Sequence, residues 1–99
     1  MDPEKPDIQI SDVVISAQGR DQGEWFYVLG KDGQFLFLAN GKNRTLENPK
    51  RKKQKHVEKV LRSETRVAAK LFSGDKVLNG ELRRDLAFLS QRQANNLGG

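Results

Sequence analysis

Between Asp12 and Ala39 the chain alternates short apolar or β-branched runs with polar turns that contain glycine, a rhythm that few folds accommodate. Asp12-Val13-Val14-Ile15-Ser16-Ala17 reads as a first strand, Gln18-Gly19-Arg20-Asp21-Gln22-Gly23 as a turn, and Glu24-Trp25-Phe26-Tyr27-Val28-Leu29 as a second strand. Lys31-Asp32-Gly33 supplies the Asp-Gly pair favoured in tight hairpins, and a third strand runs from Gln34 to Ala39. Asn40-Gly41-Lys42-Asn43 is a further turn, with Arg44-Thr45-Leu46 as a short fourth strand. Asn48-Pro49 breaks the ladder because proline has no N–H to donate, and Lys55 to Val60 is a closing strand. Strands two and three are apolar on both faces and need cover on both. Short strands at this spacing point to a small antiparallel barrel. Trp25, Tyr27, Phe35 and Phe37 are expected to fill its core, with Phe26 on the opposite face, beneath the C-terminal segment.

The period changes after Arg62. Ser63 is the expected N-cap of a helix carrying Val67, Ala68, Leu71 and Phe72 at helical spacing, ended by Ser73-Gly74. Asn79 is the expected cap of a second helix with Leu82, Leu86 and Leu89 on one stripe and Phe88 at the junction. The fold class is thus mainly β with C-terminal α. The expected division is a flexible tail over 1–10, a barrel over 11–62, a helical hairpin over 63–92 and a flexible tail over 93–99.

Ninety-nine residues suit one core. Cysteine is absent and histidine occurs once, which excludes disulfides, thiol nucleophiles and thiolate metal sites. With 31% charged and 35% hydrophobic residues, no segment approaches a membrane span. The acidic, proline-containing opening is unlike a secretory signal, so a cytoplasmic protein is expected.

The net charge of +5 is unevenly spread. Residues 1–40 carry three basic and seven acidic side chains, 41–72 eleven and three, and 73–99 four and three. A cationic field localised this way attracts a polyanion and steers its approach. Its centre is Lys50-Arg51-Lys52-Lys53-Gln54-Lys55, five cations in six positions. Five of the seven aromatics lie between Trp25 and Phe37 and none between 41 and 62. Cations without interleaved aromatics suit the phosphate backbone of folded RNA better than stacked single strands. Arginine binds phosphate in a bidentate fork and lysine as a point charge. Arg20, Arg44 and Arg51 are therefore expected to position RNA, while Lys50, Lys52, Lys53 and Lys55 supply bulk affinity and Lys42 and Lys59 add to the field.

Enzyme chemistry has little to stand on. Gly33 and Gly41 do not form a phosphate loop, and Gly41-Lys42-Asn43 lacks the hydroxyl residue needed after the lysine. His56 has no partner set for general-base work, and Lys55 and Lys59 beside it would lower its basicity. It is expected to contact RNA or to pack at the strand edge. No catalytic residue, metal, cofactor, membrane or small-molecule substrate is expected.

The stretch from Val13 to Gly23, a strand and a turn ending in glycine, resembles the KOW motif, in which a glycine sits in the turn between two strands. The resemblance continues through Asn40-Gly41-Lys42-Asn43-Arg44 and the block Glu47-Asn48-Pro49-Lys50-Arg51-Lys52-Lys53-Gln54-Lys55-His56. Together they are similar to the KOW-domain family related to large-subunit ribosomal proteins fourteen, six and twenty-seven of the archaeal and eukaryotic type, whose short bacterial members match this chain best in length. It covers roughly residues 11–90, with the proline-plus-basic block its most specific part. The first ten residues lie outside it, and Asn40 stands where Asp is commoner. The resemblance implies an SH3-like barrel, with Gly19 and Gly23 in the motif turn. It also implies binding to ribosomal RNA, as a large-subunit ribosomal protein or a translation-associated factor. Separately, the nearly balanced charge of the C-terminal helices suits docking onto a neighbouring ribosomal protein. Two other classes stay open: an SH3-type protein-interaction module, which needs an exposed aromatic groove, and a KOW module of the transcription-elongation kind. RNA rather than DNA follows from the resemblance, not from the charge.

Overall fold

In the computed structural model, which describes residues 7–98 and the side chains of 7–94, five strands form one antiparallel sheet. They are β1 (Asp12–Ser16), β2 (Trp25–Asp32), β3 (Phe35–Ala39), β4 (Lys50–Lys53) and β5 (Val57–Arg62), in the spatial order β4-β3-β2-β1-β5. Two helices follow, α1 (Arg66–Ser73) and α2 (Asn79–Gly98). The register slips between Val13 and Val14 and between Val28 and Gly30, and irregularities of this kind bend a sheet. A 3-10 turn, Gln54–His56, joins the two edge strands; the Ala17 amide donates to the His56 carbonyl at 2.9 Å. The sheet curls around Val14, Phe26, Val28, Leu36, Leu38 and Val57 to make the small barrel-like domain expected from the strand spacing.

A second core lies on the outer face of the sheet. Val13, Tyr27 and Ala39 pack against Val67 and Ala68 of α1 and Leu82, Leu86 and Leu89 of α2. The faces of β2 are thus the reverse of the expectation: Phe26 fills the barrel, and Tyr27 lies under the helices. Both faces of β2 are apolar, so alternation alone did not distinguish them. The tyrosine hydroxyl does. It meets Ser63 Oγ at 2.7 Å, Thr65 Oγ1 at 3.2 Å and the Asp85 carboxylate, polar partners carried by the segment leading into α1 and by α2. Burial first, and the Asp85 contact second, push this phenol above its ordinary range. In β3 the inward positions are Leu36 and Leu38, and Phe35 and Phe37 sit half-buried outside.

Several local expectations also change. Arg44–Leu46 is loop, and the basic run itself supplies β4. The 3-10 turn occupies Gln54–His56, so the closing strand begins only at Val57. Thr65, not Ser63, caps α1, accepting from the Ala68 amide at 3.2 Å. Gly74 ends it in the left-handed conformation (φ 77°), as expected. Asn79 opens α2, yet its side chain serves the preceding loop: it accepts from the Leu46 amide and donates to Glu47, each at 2.8 Å. Phe88 fills no junction and, with Phe72, stands exposed. The helix continues through Gly98 where a tail was expected. Of the expected N-terminal tail, residues 1–6 lie outside the described residues, while Ile8 is buried against the barrel core.

Candidate nucleic-acid interface

Three segments meet at one end of the barrel: the turn from Ala17 to Glu24, the loop from Asn40 to Pro49, and β4. The turn is shaped by two glycines with positive φ, Gly19 at 96° and Gly23 at 91°. Its stem is closed by the Gly23 amide donating to the Ser16 carbonyl at 2.9 Å. The loop is organised by the buried Asn40, whose Oδ1 accepts from the amides of Lys42 (2.9 Å) and Arg44 (3.1 Å). Its Nδ2 donates to Asn43 Oδ1 at 2.7 Å. Asx geometry of this sort holds a loop rigid without sheet bonds.

β4 makes the basic run legible. Strand alternation sends Lys50 and Lys52 to one face and Arg51 and Lys53 to the other. The first pair converges on Asp21 in the turn, with Lys50 Nζ 2.8 Å from one carboxylate oxygen and Lys52 Nζ 2.8 Å from the other. Lys52 is only 8% exposed and also donates to the Gln18 carbonyl at 2.7 Å. Ser16 Oγ lies 2.7 Å from the oxygen that Lys52 contacts. Burial alone would raise the Asp21 carboxyl, but the two ammonium groups and the serine hydroxyl outweigh it and hold the group far below the usual carboxylate range. Lys52 is therefore a structural ion-pair residue rather than a bulk-affinity cation, and Lys50 is largely committed to the same carboxylate.

By position the candidates fall into three groups. Arg20, Arg44 and Lys50 line one cleft with Asp21, Glu24, Phe26 and Asn43. Lys42 is exposed on the loop, Arg51 is exposed on β4 beside the half-buried Lys53, and Lys55 is exposed on the 3-10 turn, with His56 half-buried next to it. Lys59 is separate. It pairs with the buried Asp12 at 3.1 Å, at the opposite end of β1 from the Asp21 turn. Gly41 has a role that its motif position did not reveal: the α2 N-terminus packs directly on it.

Among the described residues, no helix is long and apolar enough to cross a membrane. Comparison with known proteins finds no matching family model and no matching curated protein.

Proposed function

We propose that this chain is a cytoplasmic RNA-binding protein of the KOW type that associates with the ribosomal large subunit and grips structured ribosomal RNA through its phosphate backbone. The observation that carries this reading is the division of labour within β4. Asp21 takes up Lys50 and Lys52, while Arg51 and Lys53 are directed outward. A run kept only for solubility would not need a buried counter-ion to fix its register. Arg20, Lys42, Arg44, Arg51, Lys53 and Lys55 are the cations assigned to phosphate. Six such contacts give log K against log salt a slope of about −4 to −5.

A salt titration of structured RNA binding tests this. Replacing Arg51 and Lys53 with glutamine should flatten the slope by about 1 per cation removed and leave the melting curve in place. An unchanged slope moves the RNA surface elsewhere. Lys52 is unsuitable for this experiment, because its loss disturbs the turn as well as the charge.

A further inference from the structure

The cationic block contains no aromatic residue, but the sheet brings aromatics to it. In the β3–β4 register Phe37 faces Arg51 and Phe35 faces Lys53, all four on the outer side. The Arg51 guanidinium carbon stands 3.8 Å from the centroid of the Phe35 ring, a stacking distance, and Lys53 Nζ is 6.0 Å from the same centroid. A guanidinium is planar, so one face on a ring leaves the other for a second flat partner. Arg51 is exposed, and Phe35 and Phe37 are only half-buried. Beside them Gly30, paired with Phe37 across the strands, places no side chain against the ring, where a Cβ would stand in contact at 3.7 Å. The two helices pack over Val13, Tyr27 and Ala39 instead.

We infer that Arg51, held over Phe35, stacks an unpaired base of the bound RNA, with Lys53 neutralising that nucleotide's phosphate. The inference rests on the proposed RNA-binding function and adds a ligand class to it: a bulged or looped-out nucleotide rather than an uninterrupted duplex. The occupant must be both flat and anionic, because the strip offers a planar cation, an aromatic ring and a second cation on three neighbouring side chains, Arg51, Phe35 and Lys53. Stacking on arginine planes and aromatic rings is how proteins hold splayed-out RNA bases. A protein side chain would satisfy the ring but not the second charge.

The test uses the whole chain and three RNA hairpins of one stem sequence: fully paired, with a single bulged adenosine, and with an abasic bulge. The bulged adenosine should bind at least about fivefold tighter than the abasic bulge, the preference expected of one stacked base. Arg51→Lys keeps the charge and removes the plane. It should abolish that preference, read as the ratio of bulged-adenosine to abasic affinity within the one variant, so that any loss of phosphate grip common to the hairpins cancels. Phe35→Leu should do the same, with its melting curve recorded to separate lost stacking from lost structure. Equal binding of the adenosine and abasic bulges, or a preference that survives Arg51→Lys, overturns the stacking inference and leaves RNA binding in place. Failure of all three hairpins to bind at low salt overturns the proposed function itself.

Discussion

A Cβ built on Gly41 collides with the carbonyl oxygen of Asn79 and lies 3.0 Å from the Arg83 amide nitrogen, and both are backbone atoms of α2 that have no rotamer to change. The φ of 77° adds strain for any L side chain. Gly23 has a similar φ, 91°, but nothing within 4 Å of the same position. The two sites separate a conformational demand from a packing one. Gly23→Ala should cost about 1 kcal/mol, from backbone strain alone. Gly41→Ala should cost about 3 kcal/mol, because overpacking is added to it. Denaturant melts of the two variants check the difference. Equal losses would mean that α2 moves away from the loop at little cost.

Along β4 the consequences of substitution should alternate with the strand. Lys52→Ala leaves Asp21 short of its most buried partner and should cost about 3 kcal/mol, as breaking a buried ion pair does. Lys50 is 24% exposed, and its loss should cost less than about 1 kcal/mol. Arg51→Ala gives up one exposed cation–π contact, also below about 1 kcal/mol. Urea unfolding of the three variants reads this order directly. The same carboxylate sets a pH dependence. Asp21 is depressed in the folded chain, so its contribution is present above the ordinary aspartate value of 3.8. It is lost as pH falls from there through the folded value. Asp21→Asn should flatten the fall in stability over that acid range, and a parallel curve for the variant would show that other carboxylates govern it. The strands from Asp12 to Ala39 were readable because alternation and glycine turns mark them locally. β4 was not, because five cations in six residues look like a solvated loop until Asp21, distant in sequence, is brought beside them. Of the interface, the cationic character was legible, while the retirement of Lys52 and the approach of Phe35 to Arg51 depend on cross-strand register that spacing does not contain.

The helices and the barrel share one core, and this decides what the chain can lose. Val13, Tyr27 and Ala39 are fully buried, yet they lie outside the barrel core and owe their burial to α1 and α2. The polar contacts agree: Thr65 Oγ1 meets the Asp85 carboxylate at 2.8 Å while also capping α1, and Tyr27 joins both from the sheet. A chain ending at Arg62 would expose an apolar face and leave the Tyr27 hydroxyl without Ser63, Thr65 or Asp85. It should therefore aggregate or lose its cooperative melt. The exposed residues of the helices make the opposite prediction. Phe72 is 75% exposed and Phe88 51%, so changing both to serine should leave stability within about 0.5 kcal/mol per site. On the proposed ribosomal function, a variant that keeps RNA affinity but fails to co-sediment with the large subunit would assign the outer side of the helices to a neighbouring ribosomal protein. A truncated chain that melts cooperatively and binds RNA like the parent would instead make the barrel self-sufficient and reduce the helices to an appendage.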